Sequence, residues 1–178
     1  TDMYTHCINV CTLSTIMALR LKMSNKQIHN IAMGAILHDI GLRYINVPYV
    51  NVSENKMTNK DAVEYKKHTI FGYSSLQDEE WLPDVAKEII LFHHERIDGS
   101  GYPFQHKGDR LKPEVKLVSI CDDFDSMISG IGSEKMKIYE AIEYINHPVL
   151  RDRLVEITEA VYNNEKSVYE IFGNDVIK

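Results

Sequence analysis

Ser24-Asn25-Lys26-Gln27-Ile28-His29-Asn30-Ile31-Ala32-Met33-Gly34-Ala35-Ile36-Leu37-His38-Asp39-Ile40-Gly41 reads as one helix with both ends marked. Ser24 followed three residues later by Gln27 has the spacing of a capping box, which satisfies two backbone N–H groups that the first turn leaves free. Ile, Ala, Met and Leu fill the body. That is too much apolar surface for one stripe, so the helix, predicted over about 25–39, is expected to be buried on most sides. Gly41 reads as a left-handed stop just beyond it.

Working outward, the apolar residues keep helical rather than alternating spacing. Upstream, a helix over about 2–22 places Ile8, Cys11, Leu13, Ile16, Leu19 and Leu21 on an apolar face. Downstream, Leu42 to Met57 is polar, holds Pro48 and several asparagines, and reads as a long loop. Thr58 with Asp61 repeats the cap spacing and opens a helix through about Leu76. Pro83 suits the first turn of another, ending near Glu95. Asp98-Gly99-Ser100-Gly101-Tyr102-Pro103 is loop-like. Pro113 opens a helix to about Ser129, Ser133 caps one reaching Ile145, and weakly periodic helices fill 149–172. With no repeat, low-complexity segment or linker, the expectation is one all-α domain.

The chain has 178 residues, enough for a sizeable core, and its 44% apolar and 26% charged content is that of a globular protein. No apolar run approaches the roughly 18–20 residues that span a bilayer, so no membrane contact is expected from this segment. The amino terminus lacks a secretory pattern and opens inside a helix, which suggests a piece of a longer regulatory protein. A net charge of −6 argues against a partner that is polymeric nucleic acid. Three cysteines do not make a disulfide framework. Cys7 and Cys11, one turn apart, read as packed thiols, and a reducing cytoplasm is the expected location.

Histidines and aspartates carry the chemistry. His6, the pair His38-Asp39, His68, the pair His93-His94 and Asp122 stand within or at the ends of predicted helices, most of them beside apolar residues. Polar groups buried there cost several kcal/mol unless paired. Metal coordination offsets that cost for many groups at once, whereas His29, His106 and His147 lie in polar contexts and read as solvated. Imidazole with carboxylate and no thiolate suits a borderline to hard ion, iron or manganese rather than a closed zinc site. Asp39 is the best candidate to bridge two ions. Two divalent ions against Asp39 and Asp122 leave a locally positive centre that would attract a phosphodiester and activate a water against it.

These residues resemble the HD-GYP family, a branch of the HD phosphohydrolase superfamily. The matching runs are His38-Asp39-Ile40-Gly41, His93-His94-Glu95-Arg96, Asp98-Gly99-Ser100-Gly101-Tyr102-Pro103 and Cys121-Asp122-Asp123-Phe124-Asp125, with His6 and His68. The resemblance implies a single HD-type helical bundle, with a long loop after the HD helix and a GYP loop. It covers residues 1–145, leaving 146–178 as a carboxy-terminal helical extension of the same domain. It implies a metal-dependent phosphodiesterase that converts cyclic di-GMP to linear pGpG or GMP, with two or three divalent ions. His6, His38, Asp39, His68, His93, His94 and Asp122 are then ligands, and His38 and Asp39 the catalytic pair. Asp2, one turn before His6, matches a position that supports a third ion in some members; equally, it reads as a helix-start aspartate. Asp125 matches an aspartate near the site and lies one turn from Asp122, suited to orienting a ligand. Arg96 either holds a phosphate or fixes the loop by a salt bridge. Gly101, Tyr102 and Pro103, with Asp98, belong to a loop that borders the substrate and is suspected of meeting partner proteins; a homodimer is a further expectation.

The chain also departs from the family pattern. Lysine usually follows HDIG, but here Leu42 and then Arg43 stand there. Many members carry phosphate-binding arginine and lysine after the ADxxDA segment. Gly130-Ile131-Gly132-Ser133-Glu134 has neither, although Lys135 and Lys137 lie close. The family's ending is not matched after about Asn146. These departures keep two alternatives open: a catalytically weak cyclic-dinucleotide sensor or interaction module, and a hydrolase of another nucleotide phosphoester.

Overall fold

The structure is a computed structural model and describes residues 2–107 and 110–144. Seven helices make it up: α1 Met3–Arg20, α2 Asn25–Leu37, α3 Asn59–Lys66, α4 His68–Leu76, α5 Asp84–Phe92, α6 Pro113–Ser129 and α7 Ile138–Tyr144. Two 3-10 turns, Ile40–Tyr44 and Glu54–Lys56, lie between α2 and α3. Among the described residues the only β pairings are isolated bridges, so the all-α class expected from the sequence is what forms. None of these helices is long and apolar enough to cross a membrane. The expected helix reaching Ile145, those over 149–172, and the 146–178 extension with His147 lie wholly or partly outside the described residues.

The capping box holds: Ser24 Oγ accepts from Gln27 N–H at 3.4 Å, while Gln27 Oε1 accepts from Ser24 N–H at 3.1 Å. Behind this cap, α2 sits centrally, packed on α1, α5 and α6. Ile31 and Ala35 share one core cluster with Val10, Leu13 and Met17 of α1, Ile89 of α5, and Val118 and Phe124 of α6. Gly34 is needed for this closeness, since a Cβ there would lie 2.7 Å from Ile89 Cβ. The α1 face is only partly the one expected: Leu13 and Ile16 are buried and Cys11 half-buried. His6, Val10, Leu13, Ser14 and Met17 are buried, whereas Ile8, Leu19 and Leu21 are exposed. Ile8 stands two residues from Val10, roughly 200° round the helix, so both cannot face the core.

Five further boundaries differ. Gly41 is not left-handed; among the described glycines only Gly99, Gly130 and Gly132 have positive φ. It is glycine because α4 crosses it so closely that a Cβ would lie 1.8 Å from the His68 carbonyl oxygen. The expected loop begins with a 3-10 turn through Tyr44 rather than at Leu42. The helix capped by Thr58, whose hydroxyl accepts from Asp61 N–H, breaks at Lys67 into α3 and α4. Helix α5 stops at Phe92, before Glu95, and α7 starts at Ile138 without using Ser133. Pro113 opens α6 as expected, and Gly130 ends it with φ 83°. All three cysteines are free, with Cys7 and Cys121 buried and Cys11 half-buried.

Candidate metal centre

Six elements deliver one polar side chain or more to the middle of this apolar bundle. His6 comes from α1, His38 caps the end of α2, and Asp39 opens the following 3-10 turn. His68 is the first residue of α4, His93 caps the end of α5, and Asp122 and Asp125 lie on α6. Every one of these seven is buried.

The outer nitrogen of each buried histidine is fixed. His38 Nδ1 donates to the Ala35 carbonyl at 2.7 Å, and His68 Nδ1 to the Tyr65 carbonyl at 2.7 Å. His93 Nδ1 donates to the Ile90 carbonyl at 3.0 Å, and His6 Nδ1 to Asp125 Oδ2 at 2.7 Å. Carbonyl and carboxylate oxygens only accept, so Nδ1 carries a proton in each ring and Nε2 is the nitrogen that faces the interior, able to bind an ion wherever it carries no proton of its own.

The inner atoms then face one another. His6 Nε2 and His38 Nε2 are 3.3 Å apart, as are His68 Nε2 and His93 Nε2. Asp39 divides its carboxylate between these pairs. Oδ2 lies 3.6 Å from His6 Nε2 and 3.5 Å from His38 Nε2. Oδ1 lies 3.3 Å from His68 Nε2 and 3.5 Å from His93 Nε2. Asp122 Oδ1 adds contacts of 3.1 Å to His6 and 3.5 Å to His38, and its Oδ2 lies 4.0 Å from His94 Nδ1. Asp39 Oδ1 and Asp122 Oδ2 are buried without a hydrogen-bond partner among the described residues. Opposed lone pairs and orphaned carboxylate oxygens are unfavourable in a dry interior unless a cation lies among them. The donor set therefore fits metal. The groups close enough to share an ion are Asp39-His68-His93-His94, His6-His38-Asp39 and His38-His93-Asp122, with His94-Asp122-Asp123 beside them.

Protonation divides the cluster in the same way. Burial opposes charge on His6, but its hydrogen bonds to Asp122 and Asp125 prevail and raise its pKa to about 10. His38 is likewise raised, since Asp39 and Asp122 outweigh its burial. Burial works against the anionic forms of Asp39 and Asp122, yet the neighbouring histidines hold both carboxyls below their ordinary range. On the other side burial dominates. His68 falls to about 4, and His94 falls as well, helped by the charge of His93.

The remaining sequence candidates separate into those that touch this centre and those that do not. Asp125 touches it through His6. Asp2 does not: its carboxylate caps α1, accepting from Thr5 N–H at 2.8 Å, and it is exposed. Arg96 Nη2 donates to Asp123 Oδ1 at 2.6 Å, and Nη1 reaches the carbonyls of His93 and Glu95 at 3.2 Å each. Tyr102 stacks on His94 with ring centroids 4.7 Å apart, and Pro103 follows it across a cis peptide bond. Gly101 is buried against the 94–96 backbone, where a Cβ would lie 2.3 Å from the His94 carbonyl oxygen. Asp98 is exposed and accepts from Ser100 N–H and Oγ, which shapes the turn. His106, expected in solvent, is half-buried on Phe92 and Phe104, whereas His29 is exposed.

A cavity of about 360 Å³ opens beside His94, lined among others by Glu54, Arg96, Tyr102, Asp123, Ile131 and Gly132. Arg43 is exposed over the Tyr44 ring and Lys135 is exposed; neither lines the cavity. Sequence reasoning gave no role to Glu54, Asp123 or Glu95. Glu95 is 2% exposed, and its carboxylate accepts from Phe104 N–H at 2.7 Å and His106 N–H at 2.9 Å. The available signal was its place directly after the His93-His94 pair. Glu95→Ala is expected to cost about 2–3 kcal/mol. The same change should open residues 97–107 to protease, read from urea unfolding and limited proteolysis.

Comparison with known proteins agrees with this geometry. Residues 3–154 match the family model described as HD domain. A cyclic di-GMP phosphodiesterase of Pseudomonas aeruginosa is 29% identical over 126 residues, covering 71% of this chain and 30% of that protein. A cyclic di-GMP phosphodiesterase of Thermotoga maritima is 29% identical over 177 residues, covering 98% of this chain and 48% of that protein. Among solved structures, Bd1817 of Bdellovibrio bacteriovorus, described as an HDG"Y"P protein, has a TM-score of 0.75 at 27% identity. That likeness covers 89% of this chain and 53% of Bd1817. The chain thus spans roughly a third to a half of the relatives it matches. With the family model running across most of its length, the chain belongs to the HD domain family, in its HD-GYP branch.

Proposed function

We propose that this chain is a metal-dependent phosphodiesterase that hydrolyses cyclic di-GMP to pGpG or GMP. One observation carries the reading: the Nε2 atoms of four buried histidines converge on a carboxylate whose two oxygens face different histidine pairs. His6, His38 and Asp122 would hold one ion, and His68, His93 and His94 the other, with Asp39 shared. Asp2 is engaged as a cap, which favours two ions over three. Donors that are imidazole and carboxylate favour iron or manganese. When bound, such a pair of ions activates a water and neutralises charge on the attacked phosphate.

The chain's own residues do the rest. Asp125 and the backbone carbonyls hold the imidazoles in the tautomer and orientation that binding requires. Tyr102, stacked on His94, forms the cavity wall nearest the centre, and Tyr65 and Tyr144 add flat surfaces suited to nucleobases. Arg96 is the cationic side chain among the residues lining the cavity. The loop exposes Ile97 and Phe104, apolar side chains through which it would meet a partner protein or a second copy of the chain. Cytoplasmic placement within a longer regulatory protein fits an intracellular dinucleotide substrate.

Incubating anaerobically purified, iron- or manganese-loaded protein with cyclic di-GMP and separating the products tests the reading. Linear pGpG or GMP is expected; no turnover with either metal would overturn it. A cyclic-dinucleotide sensor, or a hydrolase of another phosphoester, is favoured by one specific observation. Arg43 and Lys135 stand away from the cavity, and Arg96 is already engaged by Asp123. Calorimetric binding of cyclic di-GMP without product would support the sensor. Product from other dinucleotides alone would support the relative.

Removing the metal has an expected pH signature. His6 at about 10 and the raised His38 favour the folded chain below the ordinary histidine value near 6.5, and that stability is lost as pH rises toward 10. His68 at about 4 and the depressed His94 act oppositely: their contribution is present above 6.5 and lost as pH falls toward 4. Chelator-treated protein is therefore expected to melt highest near pH 6.5 and lower on both sides. Metal affinity should instead keep rising with pH, because ions displace the protons of His6 and His38. Thermal melts from pH 5 to 9, with and without metal, read both trends. A metal-free melting temperature that climbs steadily to pH 9 would contradict the protonation pattern.

A further inference from the structure

A cyclic dinucleotide brings two phosphates, and a centre that attacks one leaves the other needing a cation elsewhere. The segment after α6 does not supply it at the cavity: Ile131, Gly132 and Ser133 line the wall, and Lys135 does not. Two ion pairs border the same cavity. Arg96 Nη2 lies 2.6 Å from Asp123 Oδ1, and Lys66 Nζ lies 2.8 Å from Glu54 Oε1. Asp123, Arg96 and Glu54 all line the cavity, and Lys66 Nζ stands 5.2 Å from the centroid of the Tyr102 ring, which lines it too. The four side chains are 35–40% exposed, so each cation is reachable from solvent and only weakly held by its partner.

We propose that Lys66, together with Arg96, recognises the phosphate that is not attacked, and that Glu54 and Asp123 hold these cations in place until the substrate displaces them. The inference rests on the cyclic-dinucleotide reading above. One phosphate oxygen would take the place of the carboxylate on each cation, and Glu54 and Asp123, both open to solvent, would turn to water. Lys66 closes α3 just before His68. It is thus tied to the metal centre through the backbone. A ligand with one phosphate engages the centre and leaves this rim idle. A ligand with two uses both.

Two variants read it. In manganese-loaded protein, Lys66→Gln is expected to weaken calorimetric binding of the hydrolysis-resistant bis-phosphorothioate analogue of cyclic di-GMP about five- to tenfold. Glu54→Gln, which frees Lys66, is expected to tighten it about two- to fivefold. Metal content should match the parent protein in both, and KM for bis(p-nitrophenyl) phosphate, which has one phosphate, should not move. Unchanged affinity in Lys66→Gln overturns the proposal. So does an equal loss toward the one-phosphate diester, or a parent protein that does not bind the analogue. If the parent binds with this pattern but forms no product from cyclic di-GMP, hydrolysis is refuted and the recognition rim stands.

Discussion

Asp39→Ala is expected to leave the protein without its metal and to lower phosphodiesterase kcat/KM by about a thousandfold or more. The reason is the position of one carboxylate. Its Oδ1 lies within 3.5 Å of the His68 and His93 nitrogens, and its Oδ2 within 3.6 Å of those of His6 and His38. Removing it takes a ligand from both halves at once and leaves the His68 and His93 imidazoles facing each other with no anion between them, Asp122 remaining only beside His6 and His38. Asp125→Asn makes an instructive comparison, because Asp125 touches the centre through His6 Nδ1. It should keep the fold and lose about 10–100-fold in metal affinity, the usual cost of losing a residue that orients a ligand. Metal content by mass spectrometry and product formation from cyclic di-GMP would be measured on both. Full metal occupancy in Asp39→Ala would show that the carboxylate does not bridge, and the two-ion reading would fail with it.

What the sequence made legible follows from what each signal depends on. The Ser24–Gln27 box, the Thr58 cap and Pro113 at the head of α6 are local chemistry, decided within four residues, and they stand where the spacing puts them. The ligand candidates were legible for a different reason. Histidine and aspartate beside apolar runs have few inexpensive explanations, and the seven named from sequence do lie at one centre, His94 at its edge. Contacts made across the fold were not legible. Nothing near Ile8 says that α2 and α6 will cover the opposite side of α1. Nothing around Arg43 or Lys135 says that their cations will miss the cavity, while Lys66, in an ordinary charged helix, comes to its edge. Glu95 was hidden because its partners, Phe104 and His106 N–H, lie about ten residues along a loop whose path is set by tertiary packing.

Gly41 shows the same limit at its sharpest, and its replacement carries the second large expected effect. Read along the chain, it is a helix stop; in the fold, it is the point where the HD turn meets α4. A Cβ there would lie 1.8 Å from the His68 carbonyl oxygen and 2.7 Å from Gly72 N. Both are backbone atoms of a helix and cannot rotate aside, so α4 as a whole must retreat. The retreat draws His68 Nε2 away from Asp39 Oδ1, now 3.3 Å distant, and loosens Leu42 from Tyr65 and Ile131. Overpacking that side chains can absorb costs about 1–3 kcal/mol, and this clash exceeds that range. Gly41→Ala is therefore expected to lose more than about 3 kcal/mol in urea unfolding and to bind metal poorly although every ligand remains. Gly72→Ala probes the other side of the same contact. There a Cβ would meet the Ile90 methyl at 3.1 Å and Gly41 N at 3.2 Å, which small adjustments accommodate. It should cost about 1–2 kcal/mol and retain metal. If Gly41→Ala unfolds at the parent's urea midpoint with a full complement of metal, α4 does not sit against the HD turn as described, and His68 owes its place at the centre to something else.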